Sequence, residues 1–134
     1  MLQPKKTKYK KQHKGKIGGV KFQALSFGTY GIQCLCAYRL TAVTIEAVRR
    51  AIARSLQRQG KIWVRVFPDV PVSKKPAEVR IGKGKGAVNH WVCRIQKGQI
   101  LFEVAGVTEK SARQAIRLAN QKLPFATLFV VSER

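Results

Sequence analysis

Acidic residues are scarce in this sequence. Its 134 residues include 27 Lys and Arg but only 6 Asp and Glu, which gives a formal net charge of +21. In a folded protein this many positive charges repel one another, so binding to a polyanionic partner best explains the composition. A membrane surface is the alternative, but no apolar run approaches the roughly 18 residues of a membrane span. No predicted helix sets a wide apolar face opposite lysines either. The composition therefore favours a phosphate backbone and predicts no membrane partner.

Groups that could serve catalysis or metal binding are also few. The acids are Glu46, Asp69, Glu78, Glu103, Glu109 and Glu133. No two of them form an evident pair, and neither His13 nor His90 has an acidic neighbour. An enzyme needs a positioned base, nucleophile or metal ion, and the three cysteines have no further ligands at the spacing of a zinc site. The sequence therefore predicts no catalytic residue, no metal site and no cofactor, and it places Cys34, Cys36 and Cys93 in the core.

Residues 1–21 form a lysine-rich N-terminal extension without a single acid. Like charges this dense prevent collapse, so we expect the segment to be disordered alone and to order on a polyanion. It lacks the apolar stretch of a secretory signal and the composition of an organelle-targeting arm, so we expect it to stay on the protein. Tyr9 and His13 can stack on bases or remain solvated. The predicted contacts in this segment are Lys5, Lys6, Lys8, Tyr9, Lys10, Lys11, His13, Lys14 and Lys16.

The remaining residues, 22–134, suffice for a single α/β domain. Residues 22–38 are typical of two strands around a turn at 28–31. The expected core residues there are Phe22, Leu25, Phe27, Ile32 and Leu35. Thr41 is the predicted N-cap of a helix that runs to about Gln59 and closes at Gly60. Thr108 is the predicted N-cap of a second helix that runs to about Leu123.

The first predicted helix has an apolar face and an arginine row. Ile45, Val48, Ile52 and Leu56 make up the apolar face. The arginines recur every four residues, and only Glu46 accompanies them. The row is either an ordinary exposed face or a set of phosphate contacts, and the shortage of acids favours the second. The row consists of Arg50, Arg54 and Arg58.

Residues 61–67 alternate between apolar and cationic or aromatic side chains, which indicates a strand with one buried face. The opposite face holds Lys61, Trp63, Arg65 and Phe67, which suits base stacking together with phosphate contact. The alternative is that Trp63 and Phe67 pack beneath a neighbouring loop. Pro68, Pro71 and Pro76 are expected to end the strand, and Lys74 and Lys75 add charge to the connection.

Two further strands, at 77–81 and 91–96, are expected to bracket a glycine loop. The second should form a hairpin with residues 99–104 through a turn at Lys97-Gly98, and a final strand at 125–131 should be interior. The predicted fold class is α+β: a two-layer sandwich with a mostly antiparallel sheet, two helices on one face, and a basic extended N-terminal tail.

The glycine loop reads Arg-Ile-Gly-Lys-Gly-Lys-Gly from residue 80. Its glycines remove side-chain bulk and permit positive φ, while its lysines favour close approach to an anionic surface. The alternative is a flexible, solvated linker. The loop is not a Walker A motif, because no Ser or Thr follows the lysine and no helix begins there. The candidate site residues are Arg80, Gly82, Lys83, Gly84, Lys85, Gly86 and His90.

The sequence resembles the ribosomal protein uL16 family of the large subunit nearly end to end. The opening Met-Leu-Gln-Pro-Lys-Lys-Thr-Lys-Tyr-Lys-Lys matches the family's start, and residues 60–68 and 80–91 match its two signatures. Two positions depart from the pattern: Gln57 stands where a basic residue is usual, which weakens one expected backbone contact, and Ile81 stands where Met is usual.

The resemblance implies a structural constituent of the large ribosomal subunit that binds large-subunit rRNA beside neighbouring ribosomal proteins and is not a homo-oligomer. It also implies that the glycine loop lies near the peptidyl-transferase centre and A-site tRNA, with P-site tRNA as the alternative. Arg80, Lys83 and Lys85 would then lie nearest that centre as organisers and not as catalysts. The arginine at the Arg80 position is a hydroxylation target in bacterial relatives. Segments 76–80 and 98–100 favour a mitochondrial origin over a plastid or bacterial cytoplasmic one.

Overall fold

The computed structural model describes residues 2–75 and 84–132. The elements in chain order are β1 (Tyr30–Cys34), β2 (Tyr38–Thr41), α1 (Ala42–Ser55), β3 (Lys61–Val64), β4 (Val70–Lys74), β5 (Ala87–Ile95), β6 (Ile100–Ala105), α2 (Glu109–Asn120) and β7 (Thr127–Val131). They form a four-stranded sheet in the order β3-β6-β1-β7 and a three-stranded sheet in the order β2-β5-β4. Every pair of neighbouring strands in these sheets is antiparallel. The predicted α+β class is confirmed, although the sequence did not predict two separate sheets.

The helices begin where the sequence predicted and cover the core together. The Thr41 side chain accepts a hydrogen bond from Thr44 N, and the Thr108 side chain accepts one from Ser111 N. Because each hydroxyl satisfies a backbone donor of the first turn, each helix is stabilised at its start. The α1 helix packs against α2 and strands of both sheets, and α2 packs against β1 and β7. The buried helix residues are Ala42, Ile45, Val48, Ile52, Ala112, Ala115, Ile116 and Ala119.

The first helix ends earlier than predicted. It stops at Ser55 instead of near Gln59, and Gln57 and Arg58 adopt left-handed backbone angles, with φ of 53° and 65°. Gln57 N donates to Arg54 O at 3.2 Å and Arg58 N donates to Ala53 O at 3.4 Å. This pair of bonds is a Schellman motif. Gln57 therefore occupies the C′ position that the sequence assigned to Gly60.

The predicted turn at 28–31 is wrong, because Tyr30 and Gly31 belong to β1 between β6 and β7. A Cβ on Gly31 would lie 2.5 Å from Leu25 Cδ2 and 3.0 Å from Phe102 O, so close packing and not a turn requires this glycine. Leu25 and Ile32 are buried as predicted. Three expected core residues are instead exposed: Phe22 by 79%, Phe27 by 62% and Leu35 by 38%.

A carboxylate inside the core holds the irregular segment that precedes β1. Glu103 of β6 is fully buried. Its Oε1 accepts hydrogen bonds from the backbone N–H groups of Ser26, Phe27 and Gly28 at 3.0, 3.0 and 2.9 Å. Its Oε2 lies 3.1 Å from Arg65 Nη1 and makes an ion pair there without a hydrogen bond. The backbone of residues 26–28 therefore has fixed hydrogen-bond partners although this segment belongs to no strand.

The prolines do not exclude a strand between Phe67 and the glycine loop. β4 contains Pro71, which lies opposite Trp91 in β5. β4 is an edge strand of its sheet, where a residue without a backbone N–H is tolerated. The local sequence does not reveal β4, because a proline at position 71 is more typical of a strand end than of a strand. The predicted strand at 77–81 lies outside the described residues.

Strands β5 and β6 do not form the predicted hairpin, since they belong to different sheets. Gly98, with φ of 92°, donates its N–H to Cys34 O at 2.8 Å, and Cys34 N donates to Gln99 O at 2.9 Å. These bonds to β1 carry the chain from the three-stranded to the four-stranded sheet. β5 is also longer than predicted, because it begins at Ala87 and includes His90.

Two other boundaries and the position of one strand differ from the prediction. β3 ends at Val64, before the predicted Phe67, and α2 ends at Asn120, before the predicted Leu123. β7 is an edge strand and not an interior one, with Leu128 50% and Val131 43% exposed. An unbroken apolar run does not distinguish an edge strand from a central one, which is why this position was misjudged.

Two of the cysteines are core residues, as the sequence predicted. Cys34 and Cys93 are buried, and burial raises the pKa of both thiols. Cys36 is partly buried, and its carbonyl oxygen accepts a hydrogen bond from Cys34 Sγ at 2.6 Å. A raised pKa keeps the thiol protonated at neutral pH, so Cys34 and Cys93 are poor nucleophiles.

Candidate nucleic-acid interface

The second half of the N-terminal extension lies along the three-stranded sheet. Gln96 Nε2 donates to Gly18 O at 2.7 Å, and Arg94 Nη1 donates to Lys14 O at 3.5 Å. Arg39 Nη2 donates to Gly15 O. Further on, Val20 forms a parallel bridge with Lys97. These bonds place the second half of the extension against the body, and the expected disorder of the segment without a polyanion stays a prediction.

The bonds that hold this extension leave its positive charge uncompensated. In the three bonds given above, each donor is a side chain of the body and each acceptor is a backbone carbonyl of the extension. Such bonds fix the path of the backbone without consuming a lysine. The lysines therefore remain available to an anionic partner, and they stand beside further cations of the sheet.

The extension meets the end of the glycine loop through two reciprocal bonds. Lys11 Nζ donates to Lys85 O at 3.0 Å, and Lys85 Nζ donates to Gln12 O at 2.8 Å. Beside them lies a cleft of about 340 Å³, which we call the junction cleft. Its lining residues are Gln12, His13, Lys14, Pro71, Ser73, Lys74, Lys75, Lys85 and Gly86. Among the described residues, the lining includes four lysines and no acid, which gives a positive potential suited to phosphate.

The two described glycines of the loop differ in what surrounds them. A Cβ on Gly86 would lie 2.8 Å from the backbone C and O atoms of Lys74, so this glycine permits close approach of β4. Gly84 has a φ of 85°, and a Cβ there would meet no described atom within 4 Å. Arg80, Gly82 and Lys83 lie outside the described residues. His90 lies in β5, where its Nδ1 is 2.9 Å from Asn89 Oδ1.

The arginine row on α1 is only partly formed. Arg50 and Arg54 line a cleft of about 470 Å³ between α1 and α2, together with Lys122. Arg58 lies beyond the end of the helix, in the Schellman turn, so the spacing of four residues no longer aligns it with the others. Glu46 pairs with Arg50 and also with Arg49. Hydrogen bonding from Arg49 lowers the pKa of Glu46 to about 2.

The cationic and aromatic face of β3 is largely engaged within the protein. Trp63 stacks on Phe27 with ring centroids 6.1 Å apart, and Lys61 Nζ lies 5.3 Å from the centroid of Trp63. Arg65 pairs with Glu103 and donates to Ala24 O at 3.1 Å, which leaves its side chain 19% exposed. This geometry fits the alternative in which Trp63 packs beneath a neighbouring loop.

The other predicted contacts in the extension are exposed: Lys5, Lys6, Lys8, Tyr9, Lys10, His13 and Lys16. Lys8 Nζ lies 5.7 Å from the ring centroid of Tyr9, whose side chain is 63% exposed. Lys74 and Lys75 are exposed at the end of β4. These residues form a cationic surface that continues from the junction cleft along the extension.

Sequence reasoning missed the residues that hold the extension in place. Arg39 and Arg94 lie opposite each other in the register of β2 and β5, and Gln96 follows at the end of β5. Nothing in the local pattern marks these side chains, since the two strands are far apart in the chain. Pairing of β2 with β5 was the only signal that could have brought the two arginines together.

Within residues 2–75 and 84–132, neither helix has the length and apolar content needed to cross a membrane. The described part of the chain also gathers no group of three or more His, Cys, Asp or Glu side chains that could hold a metal ion.

Comparison with known proteins identifies the family. The family model described as ribosomal protein L16p/L10e matches residues 4–130. The chain belongs to this ribosomal protein family. It is 57% identical over 132 residues to the large ribosomal subunit protein uL16 of Thioalkalivibrio sulfidiphilus, with 97% of this chain and 96% of the relative covered. It is 53% identical over 135 residues to the uL16 protein of Paracoccus denitrificans, with 99% and 98% covered.

Membership of the L16p/L10e family establishes the coarse function. The chain is a structural protein of the large ribosomal subunit and takes part in translation; it is not an enzyme. The family also implies association with rRNA and with other ribosomal proteins. The compared relatives, which include the uL16 protein of Afipia carboxidovorans at 55% identity over 132 residues, are bacterial and give no support to a mitochondrial origin.

Proposed function

We propose that the chain binds large-subunit rRNA chiefly through the N-terminal extension and the junction cleft. The observation that carries the proposal is the junction cleft, which is lined by Lys14, Lys74, Lys75 and Lys85. Its described lining residues include no acid. Phosphate contacts dominate the affinity of proteins for nucleic acid, and lysines supply them without base specificity. Residues 1–21 act as the basic extension and residues 22–134 as a single RNA-binding domain.

The predicted RNA-contact residues differ in how exposed they are and in which partners they have within the protein. The exposed lysines of the extension, with Tyr9 and His13, bind the rRNA together with Lys74, Lys75 and Lys85. Arg50 and Arg54 provide a second contact at the cleft between the helices, because both line it beside Lys122. Arg65 and Trp63 act mainly through packing, since Arg65 pairs with Glu103 and Trp63 stacks on Phe27.

The glycine loop lies near the peptidyl-transferase centre and contacts A-site tRNA in this proposal. Support comes from the glycine and lysine pattern of residues 80–91 and from the open surroundings of Gly84. The bonds from Lys85 to Gln12 and from Lys11 to Lys85 tie one end of the loop to the extension. Binding of rRNA along the extension would therefore fix the position of the loop.

The chain acts as one copy among neighbouring ribosomal proteins and not as a homo-oligomer in this proposal. The mitochondrial origin stays a prediction from segments 76–80 and 98–100. Testing it requires the genome that encodes the chain. The contact with P-site tRNA likewise stays an alternative to the A-site contact.

Salt dependence of rRNA binding tests the proposal. Binding of the full chain to a large-subunit rRNA fragment should give a log–log slope against salt of about −5 or steeper if about six or more phosphates are neutralised. Lys85→Ala should reduce the magnitude of the slope by about 1, while Lys110→Ala, on the exposed face of α2, should leave it unchanged. A flat salt response would overturn rRNA binding. Displacement of the rRNA by duplex DNA at equal nucleotide concentration would favour a general nucleic-acid binder instead.

The role of the loop needs a separate test in assembled ribosomes. The double variant Lys83→Ala with Lys85→Ala should leave the fold intact, because the Lys85 side chain is exposed and alanine adds no bulk at either position. It should slow accommodation of A-site tRNA or impair subunit assembly. The matched control replaces Lys110 and Arg117 by Ala, which removes the same charge from the exposed face of α2. Ribosomes that carry the loop variant and translate at the normal rate would show that the loop is only a linker.

A further inference from the structure

In the part of the chain that the structure describes, the two sheets have four edge strands, and three of them carry features that discourage pairing with another chain. Charged residues, prolines, irregular register and short length all have this effect. β4 contains Pro71 and shifts its register with β5 after Val72. β2 and β3 are only four residues long, and they carry Arg39 and Lys61. These three edges are therefore protected by their own sequence.

The fourth edge strand, β7, lacks these protective features. Its five residues include no charged residue and no proline, and its pairing with β1 shows no register shift. The side chains of Leu128 and Val131 are exposed on it. A regular, apolar and exposed edge is the kind that pairs most readily with a further strand. β7 therefore offers a place for a strand that residues 2–75 and 84–132 do not supply.

The register with β1 determines which backbone groups of β7 point away from the sheet. Just before β7, Leu35 N donates to Ala126 O at 3.1 Å. Because hydrogen-bonded pairs alternate along an antiparallel ladder, the N–H groups of Leu128 and Val130 also point to β1. Within the described ranges, the backbone groups of the other three residues have no hydrogen-bond partner. The residues whose N–H and C=O groups point to the free edge are Thr127, Phe129 and Val131.

The chemistry of this edge favours a strand of another protein. An extended polypeptide satisfies a row of outward N–H and C=O groups, whereas RNA binds chiefly through its phosphates, and β7 has no cation. A second copy of the chain is disfavoured, because each copy carries a net charge of +21. Arg113 of α2, which also pairs with Glu109, has its guanidinium 4.4 Å from the ring centroid of Phe129. A strand with acidic side chains therefore fits best.

We infer that an extended segment of a neighbouring ribosomal protein adds a strand to β7. Its acidic side chains lie on the face of the sheet that meets α2, and its apolar side chains lie on the face that carries Leu128. Because side chains alternate between the two faces of a strand, acidic and apolar residues should alternate along the segment. The inference adds a protein contact to the proposed rRNA binding, and it uses no residue of the extension or the junction cleft.

Hydrogen exchange of single backbone amides tests the added strand in the wild-type protein. In the free chain, the N–H groups of Leu128 and Val130 should be protected by their bonds to β1. Those of Phe129 and Val131 point to the free edge and should exchange rapidly. In assembled large subunits, exchange of Phe129 and Val131 should slow by at least about a hundredfold, because both groups are then hydrogen-bonded. Rapid exchange of both in the assembled subunit would overturn the inference.

Two further exchange measurements separate the other possible occupants of the edge. The complex of the chain with a large-subunit rRNA fragment contains no second protein, so Phe129 and Val131 should exchange in it as rapidly as in the free chain. Protection in that complex would assign the edge to RNA and overturn the inference. A tenfold rise in the concentration of the free chain should likewise change nothing. Protection that grows with concentration would assign the edge to a second copy, which also overturns it.

A photocrosslink identifies the chemistry of the partner. With p-benzoylphenylalanine in place of Leu128, purified large subunits should yield a crosslink to a protein segment in which acidic and apolar residues alternate. Mass spectrometry of the crosslinked peptide reads that sequence directly. Crosslinks to rRNA alone, or to a segment without an acidic residue, would contradict the inference.

The matched variants are Val131→Pro, which removes one outward N–H, and Val131→Ala, which keeps it. Proline is tolerated on an edge strand where the N–H faces away from the sheet, so both variants should fold and bind the rRNA fragment with the wild-type salt slope. When the two compete for assembly into large subunits, Val131→Pro should be incorporated about fivefold less, because one hydrogen bond is lost. Equal incorporation would overturn the added strand, whereas a flat salt response of the wild type would reject the proposed rRNA binding instead.

Discussion

Replacement of Glu103 should destabilise the protein more than any surface change. The carboxylate is fully buried, accepts three backbone hydrogen bonds and pairs with Arg65. Glu103→Ala leaves three N–H groups and one guanidinium without their partner, and removal of one member of a buried pair costs about 3–5 kcal/mol. Because Ser26 and Phe27 are exposed, their freed N–H groups can reach water, which argues for the lower half of that range. The midpoint of thermal unfolding should fall by roughly 10–20 °C.

The substitution Glu103→Gln removes the negative charge of this side chain but keeps an oxygen that can accept hydrogen bonds. The amide oxygen can still accept from the backbone of segment 26–28, but the ion pair with Arg65 is lost, so we expect a loss of roughly 2 kcal/mol. Urea unfolding followed by Trp fluorescence measures both variants and also reports on Trp63, whose stacking partner Phe27 lies in the released segment. The control is Glu109→Gln, which removes the exposed ion pair between Glu109 and Arg113. Its loss should lower the free energy of unfolding by less than about 0.5 kcal/mol. A cost below about 1 kcal/mol for Glu103→Ala would refute the account of this segment.

Three further changes test other parts of the fold. Gln57→Gly should raise the free energy of unfolding by roughly 1 kcal/mol, because its left-handed φ of 53° suits glycine better than a residue with a Cβ; a loss in urea unfolding would contradict this. The pKa of Glu46 is lowered to about 2, so its stabilisation is present above the ordinary pKa and is lost as pH falls. The difference in melting temperature between wild type and Glu46→Gln should therefore shrink between pH 5 and pH 2, and a constant difference would exclude the pairing. Gly86→Ala should destabilise the protein by about 1–3 kcal/mol, since its Cβ would lie 2.8 Å from Lys74. Gly84→Ala should cost about 1 kcal/mol from its φ alone. A larger loss of stability in Gly84→Ala than in Gly86→Ala, measured by urea unfolding, would disprove the close approach.

Local features of the fold were predictable, while pairing between distant segments was not. Thr41 and Thr108 were identified as caps because their signal lies within four residues. Gly31 was misread because its reason is contact with Leu25 and Phe102, which only the folded sheet brings together. Pro71 is compatible with β4 because β4 lies at the edge of its sheet, and local sequence does not reveal that position. Packing between distant segments thus determined the structure at positions where secondary-structure propensity alone did not.

In the candidate site as well, local features were predictable from the sequence, while contacts between distant segments were not. Lys85 was predicted from the glycine pattern, but its bond to Gln12 joins residues that are 73 positions apart. Arg65 was predicted as an RNA contact because its strand alternates, and the pattern could not reveal that Glu103 lies on the adjacent strand β6. Composition predicted that cations would dominate the surface; the fold determines which of them have partners.

The few acids of the chain determine where its polyanion can bind. Among the described residues, Glu103 pairs with Arg65, Glu46 with Arg49 and Arg50, and Glu109 with Arg113. All of these arginines belong to helices or to the segment that follows β3, so the ion pairs between arginine and carboxylate within residues 2–75 and 84–132 lie in that part of the molecule. The extension, the junction cleft and the Arg39–Arg94 pair receive no carboxylate in the described ranges. A fold with this net charge requires screening by an anion. Bound rRNA should therefore protect all three regions from cleavage by trypsin. Protection of the helices alone would contradict the assignment.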